Sequence, residues 1–368
     1  MEEKNCSPSL YGLKNSNRDF SNQYYWGKNQ FNSSFPTALA CYMRDKDIKA
    51  VYLKVDQDLN VLKDEITINE LFGQEVAKNS DLYYSFESIF DPYRKYVRDE
   101  LDKIDLVVKK INNSEGDDSK YEFLSAVEIK LTTLPDNGTS SKTEDEYGSE
   151  LVIRPATTKY LALSIVDALS DRRDEVREIF EDSCSTIRDW GNKREIEQSR
   201  ESILLALDEF FKKFHEVGQR PILLNAVWKT EGKTPKLAEN CLDIFVWSTF
   251  ALSRLFMDPA LEQVKKGEEI KRQQRAALRL ARFIYQWSES GRVHQQPIYD
   301  GMTYDLQNDK EFAASGNKTN KYMRCARLTK PSIKRTEIKN IVLCGGEKWL
   351  SPERRFDAIL YYDKDLFQ

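Results

Sequence analysis

Ile104-Asp105-Leu106-Val107-Val108 and, further on, Tyr121-Glu122-Phe123-Leu124-Ser125-Ala126-Val127-Glu128-Ile129-Lys130-Leu131 decide how this chain is read. The first run is short, apolar and β-branched, with one carboxylate near its start, which is the pattern of a strand. Between the two, Asn112-Asn113-Ser114-Glu115-Gly116-Asp117-Asp118 is dense in turn residues. The second run, from Tyr121 to about Leu134, reads as another strand, and the pair as a β-hairpin.

Side chains alternate faces along a strand, so Glu128 and Lys130 emerge on one side. If Asp105 starts the neighbouring strand, its carboxylate can stand beside Glu128 at the same edge. Two carboxylates and the Ile129 carbonyl form a hard-oxygen set suited to Mg2+. Phosphodiester hydrolysis by a divalent cation needs such a set, a group that orients water, and positive charge for the developing anion. Asp105, Glu128 and Lys130 are therefore the candidate catalytic residues, and Asp105, Glu128 and Ile129 the candidate metal ligands. Asp117 and Asp118, in the connecting loop, compete with Asp105 for the second carboxylate. A strand fixes a ligand better than a turn.

Glu-x-Lys alone is a weak pattern, and the chain also has it at Glu2-Lys4, Glu231-Lys233, Glu269-Lys271 and Glu337-Lys339. Context separates the copies. Glu2 is terminal, Glu231 sits in a polar turn, and Glu269 falls in a helical pattern, where residues two apart do not share a face. Glu337 precedes an apolar run, but no aspartate-bearing strand comes before it. Only Glu128 follows one apolar strand and has another, carrying Asp105, upstream.

Composition narrows the remaining choices. The 368 residues are 40% apolar and 32% charged, enough for one large or two intimate domains with a substantial core. No apolar run approaches a membrane span, and the first residues lack the basic and apolar regions of a secretion signal. Six cysteines without a CxxC pair argue against a zinc site and fit the reducing cytoplasm, the expected location. His215 and His294 are too few for a histidine-based nuclease, and Phe214-His215-Glu216 reads as a helix end. No glycine-rich loop closes on Lys-Ser/Thr, so nucleotide-driven chemistry has no support. Cys344-Gly345-Gly346 reads as a turn rather than a nucleophile elbow. The net charge of −4 hides a basic run, since Lys318 to Lys339 holds eight cations and one acid. Such a run is a candidate phosphate-contacting surface.

Elsewhere, residues 1–45 read as an irregular arm. Residues 48–55 read as a strand paired with 60–68. Residues 81–103 carry helical spacing through Phe86, Ile89, Phe90, Tyr93, Val97 and Leu101, with Pro92 as a kink. The polar stretch 135–150 is a loop, and long helices are expected at 157–187, 193–217 and 259–288. Residues 220–228 read as a buried strand, 241–247 as a strand or helix start, and 338–343 as a strand. The sum is a mixed α/β chain with a central sheet flanked by helices and helical insertions.

Ser125-Ala126-Val127-Glu128-Ile129-Lys130-Leu131-Thr132-Thr133-Leu134-Pro135-Asp136-Asn137 resembles the active-site segment of the HindVP-type, HgiDI-like restriction endonucleases. Tyr11–Arg18 with Trp26–Pro36, Pro221–Lys229 and Leu350–Asp357 resemble other parts of the same family, so the likeness spans nearly the whole chain. The resemblance implies a PD-(D/E)XK fold, Mg2+, a homodimer, and cleavage of a short palindrome in duplex DNA, GRCGYC-like in relatives. It also implies a cognate DNA methyltransferase as system partner. Ile104 stands where the motif's proline would be. The matched polar segments and the basic run give DNA-contact candidates: Lys14, Asn15, Asn17, Arg18, Lys28, Asn29, Arg324, Arg327, Arg354 and Arg355. The expected organisation is one unit over 1–368, with a catalytic core at roughly 46–250 and DNA-contacting additions at 1–45 and 251–368. Two rival readings remain: a structure-specific repair or recombination nuclease of the same fold, and a DNA-binding protein without chemistry.

Overall fold

A computed structural model describes residues 15–18, 36–73 (apart from 38, 42, 45 and 46), 81–112, 120–131, 151–153, 155–226, 229–231, 234–236, 244–262, 270, 272–295 and 312–314. The strands are β1 (Ala50–Val55), β2 (Val61–Ile66), β3 (Leu82–Ser88), β4 (Ile104–Ile111), β5 (Tyr121–Leu131), β6 (Leu151–Ile153), β7 (Pro221–Ala226), β8 (Lys229–Glu231), β9 (Thr234–Lys236), β10 (Ile244–Ser248) and β11 (Phe312–Ala314). The helices are α1 (Ile68–Phe72), α2 (Pro155–Ala168), α3 (Arg173–Ser183), α4 (Lys193–Gln198), α5 (Arg200–Phe214), α6 (Thr249–Glu262) and α7 (Arg272–Ser290), with a 3-10 turn at Asp91–Tyr96.

Among the described residues the main sheet has seven strands in the order β2-β1-β10-β7-β5-β4-β3. Strands β3, β4 and β5 form an antiparallel meander. β7 then lies parallel to β5, a pairing that needs a long crossover, here α2 to α5. On the far side β10 is antiparallel to β7 and parallel to β1. One face carries Val107, Ala126, Leu223, Phe245 and Trp247 into a core shared with α2, α3, α5, α6 and α7. Tyr160 to Val166 of α2 is buried nearly all round, as a helix in the centre of a layer must be. The other face is closed by α1 and by helical positions within 36–44. There Phe72 meets Tyr84 edge-on at 5.8 Å, and the Cys41 thiol donates to the Tyr84 hydroxyl at 3.1 Å.

The β4/β5 hairpin forms as expected, and so do β1 with β2, and the buried strand β7. Residues 81–103 are not a helix. Leu82, Tyr84 and Phe86 alternate as a buried strand row, and Pro92 opens the 3-10 turn. Both periods coexist in that stretch, and pairing with β4 selects the shorter one. The helices expected at 157–187 and 193–217 are broken into four. Residues 244–248 are strand and the helix follows at once, because the Ser248 hydroxyl accepts from the Ala251 amide at 3.0 Å. The helix expected at 259–288 appears as α6, which starts ten residues earlier, and α7. Both belong to the helical core. The expectations for 135–150, 318–339 and 338–343 lie outside the described residues.

One irregularity sets the orientation of everything beyond it. Val108 pairs with Ser125 but Lys109 with Phe123, so Leu124 is an extra residue in β5. Phe123 and Ala126, three apart, therefore both pack toward the helices. Alternation from Ala126 then carries Glu128 to that side. Gly73, which ends α1 with φ +94°, backs directly onto this bulge: a Cβ there would lie 2.8 Å from the Leu124 carbonyl oxygen. Gly73→Ala is expected to destabilise the fold by about 1–3 kcal/mol through the left-handed backbone alone, and more through the clash. Urea denaturation measures it.

Candidate active site

The backbone ladder between β4 and β5 runs from Ile111↔Tyr121 to Leu106↔Val127 and stops. From Glu128 onward β5 pairs instead with β7, Glu128 opposite Leu223 and Lys130 opposite Asn225. Where the ladder ends, a side chain takes the next rung: the Ile129 amide donates to Asp105 Oδ2 at 2.8 Å. The carboxylate of one strand thus sits at the backbone that carries Glu128.

Glu128 is only 9% exposed, and its Oε1 accepts from the Thr157 hydroxyl at 3.0 Å. Thr157 is in the first turn of α2, where the helix N-terminus favours negative charge. Two residues on, Lys159 is 1% exposed; its ammonium donates to the Glu100 carbonyl at 2.7 Å and lies 3.5 Å from both Asp99 and Asp102. The adjacent Tyr160 hydroxyl donates to the Asp102 carbonyl. Burial pushes the Tyr160 phenol pKa up, and the Asp102 and Glu128 carboxylates add to the effect. These contacts tie the segment leading into β4 to the same helix that holds Glu128.

Residues 15–18 extend the sheet beyond β3. The Tyr84 amide donates to the Asn15 carbonyl at 2.8 Å, and the Asn17 side chain both accepts from the Phe86 amide and donates to the Phe86 carbonyl. Asn17 thus serves as a strand-edge clamp. Arg18 stacks over the Phe86 ring at 4.2 Å and approaches Glu87 Oε1 at 3.9 Å. Burial pushes its guanidinium pKa down to about 10, while Glu87 and Asp105 oppose that shift, so it stays charged at neutral pH.

Asp105, Glu128 and Ile129 are thus brought together, with the Lys130 position two residues along. Lys14, Lys28, Asn29, Arg324, Arg327, Arg354 and Arg355 lie outside the described residues, as do Asp117 and Asp118. Of the four other Glu-x-Lys copies, only Glu231 itself falls among the described residues, at the end of the short strand β8. Thr157, Lys159 and the placement of Arg18 had no sequence signal beyond Pro155 as a helix start. Among the described residues no three His, Cys, Asp or Glu side chains form a ready metal cage. The donor set is two carboxylates with backbone oxygen nearby. That suits Mg2+, which commonly keeps several waters and takes one or two carboxylates.

The model of the HindVP restriction endonuclease family matches residues 26–367. The chain belongs to the HindVP restriction endonuclease family. It is 38% identical over 368 residues to the type II restriction enzyme HgiDI of Herpetosiphon aurantiacus, covering 100% of this chain and 99% of that one. It is 37% identical over 364 residues to the "Probable type II restriction enzyme HindVP" of Haemophilus influenzae, covering 99% and 96%. No solved structure matches the chain significantly. No described helix of this family member is long and apolar enough to cross a membrane.

Thr157→Val removes the hydroxyl that Glu128 accepts from while keeping the shape. It is expected to cost about 1–3 kcal/mol in urea denaturation, as for a buried acceptor losing its donor, whereas Thr157→Ser stays near the parent.

Proposed function

We propose that this chain is a Mg2+-dependent type II restriction endonuclease that hydrolyses both strands of a short palindromic DNA site, GRCGYC-like as the resemblance suggests. The observation that carries the reading is the Ile129 amide bond to Asp105, which sets a second carboxylate beside Glu128. The meander β3-β4-β5, followed by α2 and the parallel strand β7, supports a PD-(D/E)XK core. In this reading Asp105, Glu128 and the Ile129 carbonyl would hold Mg2+, which would supply Lewis-acid stabilisation and acidify a water. Lys130 offers positive charge to the attacking water or the developing phosphorane. Ile129 N–H orients Asp105, and Thr157 orients Glu128. A two-fold DNA site favours an isologous homodimer. A cognate DNA methyltransferase and a cytoplasmic location complete the system. Lys14, Asn15, Lys28, Asn29, Arg324, Arg327, Arg354 and Arg355 remain the candidate DNA contacts.

Glu128→Ala and Lys130→Ala are each expected to lower cleavage by at least about a hundredfold while specific DNA binding survives. Asp105→Ala should behave alike and Asp118→Ala should not; the reverse result moves the ligand to the loop. With plasmid and Mg2+ the protein should give discrete fragments, and chelation should stop cutting. Nicking or smearing would favour a structure-specific nuclease, and metal-independent binding without cutting a non-catalytic protein.

A further inference from the structure

Two acidic residues come level at the outer end of the β3–β4 pairing. Phe86 pairs with Leu106 and Ser88 with Ile104, so Glu87 and Asp105 occupy the same level on neighbouring strands. Like charges at such positions destabilise a sheet. Glu87 also has φ +48°, a left-handed backbone that a glutamate keeps only where its surroundings enforce it.

Arg18 stands against this pair. Its guanidinium lies over the Phe86 ring and reaches Glu87, the residue level with Asp105, and both carboxylates favour its charged form. Its side chain is only 11% exposed, which suits a fixed internal charge better than a phosphate contact. Its backbone is fixed as well: the Arg18 amide donates to the Ser16 hydroxyl at 3.2 Å, and the Asn17 clamp locks the segment onto β3.

We propose that Arg18 is the resident counter-cation of the Glu87–Asp105 edge, a positioning residue that sets how strongly the proposed metal ligands take up a divalent cation. The proposal rests on Asp105 being a ligand. Removing the guanidinium leaves the carboxylates with less competing positive charge, so a dication should bind more tightly. Removing the Glu87 charge leaves Arg18 acting more fully on Asp105, so a dication should bind less tightly. Arg18 reaches this edge from residues 15–18, which extend the sheet beyond β3.

The test is titration of the full-length, DNA-free protein with Mn2+ by calorimetry. Arg18→Met is expected to tighten Mn2+ binding about tenfold and Glu87→Gln to weaken it roughly threefold, the sizes expected for one unit charge near a dication. Arg18→Lys keeps the charge and should stay within about threefold of the parent. Unchanged or weaker binding by a folded Arg18→Met, with binding still lost in Asp105→Asn, overturns the counter-cation role and leaves the ligand reading intact. Unchanged binding in Asp105→Asn removes the ligand reading and the proposal with it. If Arg18→Met does not fold, Glu87→Gln decides, and tighter or unchanged Mn2+ binding there overturns the proposal. A purely structural Arg18 would move thermal stability without tightening Mn2+.

Discussion

The hydrogen bond from the Ile129 amide to the Asp105 carboxylate is the contact on which the candidate site depends. It forms where β5 leaves its antiparallel partner β4 and takes up the parallel partner β7. An amide at such a point needs an acceptor, because a buried N–H left unpaired is costly. A side-chain carboxylate fills that need and is thereby held beside the strand that carries Glu128. The same bond satisfies the fold and anchors the Asp105 carboxylate on the backbone of the strand that bears Glu128.

Helix α2 provides the second constraint. Thr157 holds Glu128, while Lys159 and Tyr160 hold the carbonyls of Glu100 and Asp102 just before β4. One helix, buried from Thr157 to Val166, thus grips both strands of the hairpin at the end where Asp105 and Glu128 lie. Lys159 is buried against Asp99 and Asp102, and Asp99 also accepts from the Gln295 amide at 2.6 Å beyond α7. A buried cation of this kind adds little net stability but is costly to break, and it therefore fixes one arrangement of the loop. The acidic edge has the same character on its other side, where Arg18 and the Asn17 clamp lie along β3. Structural support thus reaches the carboxylates from both directions, from the helical core and from the N-terminal arm.

The hairpin, the buried strand β7 and the Glu128 neighbourhood were legible because each depends on local pattern: β-branched runs, period-two alternation and turn residues. Residues 81–103 carry two patterns at once: Phe86, Phe90, Tyr93, Val97 and Leu101 satisfy a helical spacing while Leu82, Tyr84 and Phe86 satisfy a strand. Only the partner strand β4 breaks that tie. The extra residue at Leu124 leaves no mark in composition, yet without it Glu128 would point away from Thr157. In the sequence Arg18 is only a cation in a polar segment; its burial against Glu87 comes from the tertiary structure.

The sequence by itself determined the family, the mixed α/β class and the two strands that bear Asp105 and Glu128, since local periodicity and motif context carry that information. Tertiary structure alone decided which face those residues occupy, that the Ile129 amide takes the Asp105 carboxylate, and that Thr157 holds Glu128. These are contacts between residues 24 or more apart in the chain. Pairing register and packing choose such partners, and neither is encoded in any single stretch of residues.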